Sequence, residues 1–230
     1  MPSSERRSAP TEFEVRASKG DSKGVMVVGH AAMFGRMSQN LGGFVECIAE
    51  CAFDRSLGDN PDVRALINHD PSMLLGRTRS GTLRVAKDDM GLHYEIDMPD
   101  RNDARDLLVS MDRGDISHSS FAFRVMPGGE EWSLTEDDFP LRTLMAVSIH
   151  NGDVSPVTYP AYEDTDSGVA DRAYKSLAEA RSMDLAQIRE LAESGGLRGL
   201  IAGEEVEVPD LREPRSGLAI ARARLSLMRR

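Results

Sequence analysis

Three short stretches of this chain carry residue types that can together perform nucleophilic chemistry. They read Asn-His-Asp at 68–70, Ser-Ser-Phe-Ala-Phe at 119–123, and an aspartate-led stretch at 153–162. A serine hydroxyl is a weak nucleophile until a positioned base removes its proton, and a neutral imidazole suits that task. An acidic group behind the imidazole fixes its tautomer and stabilises the imidazolium. His69, Ser120 and Asp153 are therefore candidates for base, nucleophile and acidic orienter.

Local context leaves an ordinary alternative open for each candidate. Ser120 is also compatible with a strand serine that has no chemical role. His69 precedes Pro71 and has the context of a histidine on a surface turn. Asp153 follows an Asn-Gly turn dipeptide and could simply accept hydrogen bonds from turn amides. Only the combination of the three favours a catalytic site.

Other histidines and serines compete for these roles. His118 lies two residues from Ser120 on the same predicted strand face, a poorer geometry for proton transfer than a base from another element. His150 is a minor candidate because it lies near Asp153 in sequence. His30 and His93 fit structural or exposed positions, and Ser117 and Ser119 are weaker candidates because they fall on the apolar face of the predicted strand.

The spacing at which apolar residues recur changes along the chain, and these changes predict the strands and helices that position these residues. Residues 116–125 predict a strand in which Ser120 and Ala122 share one face while Phe121 and Phe123 occupy the other. Residues 83–98 predict a hairpin, and residues 102–113 predict a helix. Further strands are predicted on both sides of the Asn-Gly turn, and an acidic loop or distorted hairpin over 127–140.

Composition predicts three regions. The polar residues 1–23 predict a flexible N-terminal segment, although the alternation of Phe13 and Val15 with Glu12 and Glu14 leaves a short strand open there; residues 24–172 predict the compact domain. Residues 173–230 carry helical periodicity and predict a helical or partly disordered C-terminal extension.

Charge and motif content argue against several classes of function. The net charge of −10 disfavours a nucleic-acid-binding surface, and no apolar run is long enough for a membrane span or a signal peptide. Cys47 and Cys51 lack the second pair that a zinc site needs, and no phosphate-binding glycine loop is present. We therefore expect no metal, no cofactor, no nucleic acid, no membrane association, and a cytosolic location.

The chain resembles the prohead (capsid maturation) proteases of tailed phages, which are relatives of the herpesvirus assemblins. The resembling pieces, in chain order, lie at 29–34, 44–46, 52–53, 65–71, 75–78, 113–116, 120–123, 153–157 and 160–162. Each piece is short, and their ordered occurrence over most of the domain is what carries the resemblance.

The resemblance implies a fold, a site and a function. The fold is a mainly antiparallel β-barrel of the herpesvirus-protease type with helices, and the site uses His69 as base, Ser120 as nucleophile and Asp153 as third member. The implied activity is that of a serine endopeptidase that cleaves scaffold or major capsid protein precursors, and also itself, in the host cytoplasm inside the procapsid. A homodimer or assembly into the procapsid is also implied.

Two competing functions stay open at this point. One is a non-catalytic capsid assembly or scaffolding protein that retains the domain for binding. The other is a serine hydrolase such as an esterase, although no Gly-x-Ser-x-Gly motif surrounds Ser120, which disfavours an α/β-hydrolase.

Overall fold

The computed structural model of the chain describes residues 4–17, 24–159 and 166–206. The strands there are β1 (Glu5–Pro10), β2 (Glu14–Ala17), β3 (Val25–Met33), β4 (Val45–Ile48), β5 (Arg64–Ile67), β6 (Asp70–Arg77), β7 (Leu83–Lys87), β8 (Gly91–Asp97), β9 (His118–Val125), β10 (Glu130–Leu134), β11 (Pro140–Leu144), β12 (Val147–Ser148) and β13 (Asp153–Val157). The helices are α1 (Asp54–Gly58), α2 (Asn102–Asp112), α3 (Asp166–Arg181), α4 (Leu185–Ser194) and α5 (Leu197–Ala202).

The largest sheet holds the strands on which the candidate residues lie. Its order is β1-β9-β13-β5-β6, with β12 attached to β9. β9 runs antiparallel to both β1 and β13, whereas β13 and β5 are parallel. β9 contains Ser120, β13 begins at Asp153, and β5 ends two residues before His69. Three neighbouring strands therefore carry or lead to all three candidates.

A four-stranded antiparallel sheet, in the order β2-β3-β8-β7, packs against the largest sheet. Its β7–β8 pair is the hairpin predicted over 83–98, and α2 is the predicted helix. Tyr94 and Ile96 alternate into a core that also contains Phe121 and Phe123 of β9. The period-two pattern is therefore confirmed on both sides of this core.

The prediction of a mainly β fold with helices is confirmed, but the described residues form no closed barrel. Their strands make three sheets, the third in the order β10-β11-β4. β1 and β6 are the edges of the largest sheet and β2 and β7 those of the second, so the strand pairing described closes neither sheet on itself. The sheets bury their apolar side chains by packing face to face instead.

α3, α4 and α5 cover a second, smaller core. The Phe44 ring lies 5.0 Å from the Trp132 ring and 5.7 Å from the Tyr174 ring, measured between centroids. The boundary predicted near residue 172 falls inside α3, and the helices after it pack on this core. Residues 207–230 of the predicted extension lie outside the described part. None of the helices described has the length and apolar character needed to cross a membrane.

Residues 4–17 are folded, which corrects the prediction of a flexible segment for that part of 1–23, and the short strand left open near Val15 corresponds to β2. β1 pairs along its whole length with β9, where Ser8 lies opposite Ser120, and β2 pairs with β3. Residues 1–3 and 18–23 lie outside the described ranges. The polar composition misleads here because the charged side chains of β1 find their partners far along the chain.

Two arginines and three glutamates form a buried ionic network that joins β1 to the three-stranded sheet. Arg7 pairs with Glu46 through two hydrogen bonds of 2.6 and 2.9 Å. Arg142 donates to Glu46 at 2.8 Å, to Glu130 at 2.5 Å and to Glu5 at 3.3 Å. Burial acts to raise the pKa of Glu5, but Arg142 and Arg7 outweigh it and hold that pKa below its usual value. Glu5 is therefore held in its ionised form.

The β5–β6 hairpin is held together at its open end by Asp62 and Arg77. The Arg77 guanidinium donates to both carboxylate oxygens of Asp62, at 2.7 and 2.6 Å. These hydrogen bonds, assisted by the charges of Arg64 and Arg79, lower the pKa of Asp62 to about 2. The other end of the hairpin is the turn that contains His69, so this pair fixes the strands that present the candidate base.

We expect Arg142→Met to lower the free energy of unfolding by about 3–5 kcal/mol, because it leaves the buried Glu5 and Glu46 facing Arg7 alone and removes the arginine that pairs with Glu130. Urea unfolding followed by circular dichroism measures the change. The matched control is Arg189→Met, which removes an exposed pair with Asp171 and should cost less than about 1 kcal/mol. Equal losses for the two variants would contradict a structural role for the buried network.

The Asp62–Arg77 pair should make stability depend on pH in the acid range. The carboxyl group of Asp62 has a pKa of about 2 in the folded protein against 3.8 without these partners. Its stabilisation is therefore complete above about pH 4 and is lost as the pH falls towards 2. Urea unfolding at pH 7 and at pH 2.5 gives the free energy of unfolding at each pH. Between these two pH values, that free energy should fall less for Asp62→Asn than for the wild type. An equal loss in both proteins would disprove this assignment.

Candidate active site

Ser120 lies on β9, next to the edge strand β1 of the largest sheet, and is fully buried. Its strand, β9, has partners on both sides, with Ser8 of β1 and Ser155 of β13 directly opposite Ser120. The predicted alternation holds at this point. Ser119 Oγ meets Tyr94 Oη at 2.9 Å on the side of the second sheet, whereas Ser120 Oγ lies 2.7 Å from His69 Nε2. A strand with neighbours on both sides gives the Ser120 hydroxyl little positional freedom.

His69 is presented by a two-residue turn between β5 and β6. Asn68 and His69 both have left-handed backbone conformations, with φ of 52° and 57°, as a type I′ hairpin turn requires. The Asn68 side chain accepts from the Thr158 amide at 2.8 Å and donates to the Thr158 hydroxyl at 3.1 Å. These bonds attach the turn to the chain that follows β13. The turn context was expected, but the His69 ring is buried.

Asp153 lies at the first position of β13 and contacts the His69 ring. Its Oδ1 atom lies 2.5 Å from His69 Nδ1. The Asp153 carboxylate therefore bonds to the imidazole, rather than serving only as an acceptor for turn amides. The preceding Asn151-Gly152 turn is confirmed, with φ of 58° at Asn151. A side chain at Gly152 would come within 2.1 Å of the Ala122 carbonyl oxygen, so only glycine allows β13 to begin this close to β9.

Together the three side chains form a continuous chain of hydrogen bonds. A carboxylate can only accept, so the His69 Nδ1 atom carries the proton that Asp153 receives. The Nε2 lone pair of a neutral imidazole is then free to accept from the Ser120 hydroxyl. This arrangement is able to withdraw the hydroxyl proton while the oxygen attacks an electrophile. All three residues singled out from the sequence meet at one place.

The competing residues lie elsewhere. His118 Nδ1 is 3.2 Å from Ser117 Oγ, and His150 Nδ1 accepts from the Asp62 amide at 3.2 Å. His30 Nε2 is 2.7 Å from Asp88, and its ring contacts that of His93. None of these rings takes part in the hydrogen-bond chain that ends at Ser120.

Sequence reasoning missed Ser155, whose hydroxyl donates to Asp153 Oδ1 at 2.7 Å. Residues two positions apart on a strand face the same side, so the spacing from Asp153 was the available signal. Nothing in the sequence distinguished it from the other serines of the chain.

A cleft of about 550 Å³ opens beside His69. Its walls combine polar and apolar side chains from β1, the His69 turn, the end of β13 and α3; they are Ser4, Arg6, Asn68, His69, Val157, Thr158, Tyr159, Val169 and Arg172. Residues 160–162, part of the sequence resemblance, lie outside the described ranges. A cleft of this size next to the candidate base has room for several residues of a peptide.

Metal-binding side chains are not grouped in the described part of the molecule. No set of three His, Cys, Asp or Glu side chains there is arranged to hold a metal ion. Cys47 Sγ lies 3.6 Å from Thr143 Oγ1, and Cys51 is an exposed free thiol.

Comparison with known proteins gave two matches. The sequence model of a family described as Caudovirus prohead serine protease matches residues 11–180, more than half of the chain. The solved structure of the capsid assembly protease gp21 of bacteriophage T4 is similar, with a TM-score of 0.45 and 10% identity, over 69% of this chain and 99% of that one. No curated protein matches the sequence.

Proposed function

The chain belongs to the caudovirus prohead serine protease family, and we propose that Ser120, His69 and Asp153 form the catalytic triad of this capsid maturation protease. The observation that supports the proposal is the hydrogen-bond chain of 2.7 and 2.5 Å that links these three side chains. They come from separate segments, so their meeting is not a consequence of sequence proximity.

In the proposed reaction the Ser120 oxygen attacks a peptide carbonyl carbon while its proton passes to His69 Nε2. Asp153 stabilises the resulting imidazolium through Nδ1. His69 then gives the proton to the leaving amine, and the peptide C–N bond breaks to leave an acyl group on Ser120. A water molecule, deprotonated by the same imidazole, hydrolyses this ester and restores the free enzyme.

The proposed substrates are precursors of the scaffold and major capsid proteins, together with the chain itself. The cleft beside His69 supports an extended peptide as the ligand class. We place the reaction inside the assembling procapsid, where confinement with the substrates gives a high effective concentration. A modest intrinsic rate is sufficient under that condition.

Co-expression with the scaffold and major capsid proteins of the same phage tests the activity. Mass spectrometry should show truncated products with the wild type and intact precursors with Ser120→Ala, because loss of the nucleophile lowers turnover by a factor on the order of 10⁴ or more. The control is Ser119→Ala, a neighbouring buried serine whose hydroxyl faces Tyr94. Unchanged processing by Ser120→Ala would favour the non-catalytic assembly protein.

The same samples separate the remaining alternatives. Self-cleavage predicts a shortened wild-type chain and a full-length Ser120→Ala chain in the intact-mass spectrum. An esterase would turn over small esters but leave the capsid precursors intact.

We expect Asp153→Asn to lower kcat by about 10³–10⁴-fold with little change in KM. The asparagine amide donates to Nδ1, which moves the ring proton to Nε2 and removes the acceptor for the Ser120 hydroxyl. Peptide cleavage kinetics measure the effect. The control is Asp70→Asn, because the Asp70 carboxylate accepts hydrogen bonds from Ser72 rather than from the His69 ring. If Asp153→Asn cleaves as fast as Asp70→Asn, Asp153 is not the third member.

A further inference from the structure

We propose that Ser155 is a positioning residue of this site, and the proposal rests on the triad assigned above. Its hydroxyl connects the Asp153 carboxylate to the backbone of His69. Through these two bonds it holds the His69 ring in line with Ser120.

The hydrogen bonds of Ser155 form a closed ring with Asp153 and His69. Ser155 Oγ donates to Asp153 Oδ1 at 2.7 Å and accepts from the His69 backbone N–H at 3.3 Å. The same Asp153 oxygen receives the His69 Nδ1 proton at 2.5 Å. The Ser155 hydroxyl thus restrains His69 in two ways. It bonds directly to the His69 backbone, and it bonds to the Asp153 carboxylate that contacts the His69 ring.

Both groups that Ser155 contacts need an additional restraint. The terminal torsion of an aspartate is broad, so one hydrogen bond from His69 leaves the carboxylate able to rotate. His69 lies in the turn between paired strands, because the register passes from Ile67 to Asp70. Its amide therefore has no partner in the β5–β6 ladder and bonds to Ser155 instead.

The position of Ser155 in the sheet matches this role. It lies directly opposite Ser120 in the antiparallel pair of β13 and β9, and residues opposite one another project to the same face. It is also fully buried, so its hydroxyl is shielded from bulk water.

Ser119 provides a matched comparison within the same layer. It is equally buried, and its hydroxyl contacts Tyr94 Oη at 2.9 Å and the Ser155 carbonyl oxygen at 3.3 Å. Ser119 thus shares the residue type, the burial and the number of hydrogen bonds of Ser155, but its side chain contacts no triad side chain. A difference in reaction rate between Ser155→Ala and Ser119→Ala therefore reports the contacts of Ser155 with Asp153 and His69.

The test measures the rate at which purified full-length protein reacts with a fluorophosphonate probe. The Ser120 oxygen forms a bond to phosphorus, fluoride leaves, and the proton passes to His69. We expect Ser155→Ala to react about 10–100-fold more slowly per folded molecule, because a small displacement of the base has effects of that size. Ser119→Ala should stay within about twofold of the wild type, with folded protein quantified by circular dichroism.

A double-mutant cycle separates positioning from a general structural role. In an Asp153→Ala background the further loss caused by Ser155→Ala should shrink to less than about threefold, because the carboxylate it acts on is gone. An undiminished loss in that background would overturn the proposal. Ser155→Cys keeps the branching of the side chain, with a slightly larger atom that donates weakly, so it should react at an intermediate rate. This variant provides the test if Ser155→Ala does not fold.

The outcomes also separate this proposal from the proposed function. If labelling needs Ser120 but Ser155→Ala reacts like Ser119→Ala, the triad stands and Ser155 has no positioning role. If Ser120→Ala is still labelled and still cleaves capsid precursors, both assignments fail, because no Ser120-dependent relay exists for Ser155 to position.

Discussion

The site depends on one constraint, which is that β9, β13 and β5 are neighbours in a single sheet. Neighbouring strands lie about 4.8 Å apart, a spacing that polar side chains can bridge with hydrogen bonds. Ser120 and Asp153 are 51 and 84 positions from His69, yet each lies within 2.7 Å of its ring. A one-residue change of register between these strands would move Ser120 or Asp153 to the opposite face of the sheet and break the chain of hydrogen bonds.

The surrounding structure restrains this arrangement from two sides. On one side, β1 covers the outer edge of β9 and is fastened by the buried network around Arg7 and Arg142. On the other side, the Asp62–Arg77 pair and the Asn68–Thr158 bonds hold the hairpin that presents His69. Burying charges costs free energy, and complete pairing offsets that cost. The two alternating faces of β9 then have different surroundings, since Phe121 lies in the core while Ser120 faces the His69 ring.

Much of the local structure and the three candidate residues that meet in the structure could be predicted from the sequence. The alternation of Leu92, Tyr94 and Ile96 defined a strand, the spacing of apolar residues defined α2, and Asn151-Gly152 defined a turn. These signals are local, because period and turn chemistry are set by residues within one element. The choice of His69 over His118 used the same local geometry, combined with the resemblance to the prohead proteases.

The amino-acid sequence thus determined many of the strands, helices and turns, and which side chains have the right chemistry. Only the tertiary structure decided whether the described sheets close, whether β1 is folded, and which serine contacts Asp153. The barrel expectation failed because edge pairing is a property of whole sheets rather than of single strands. β1 escaped prediction because Arg7 finds a compensating charge 39 positions away in Glu46, and Glu5 finds one 137 positions away in Arg142. Ser155 also escaped prediction because its contact with the His69 backbone joins residues that are far apart in sequence and forms only on folding.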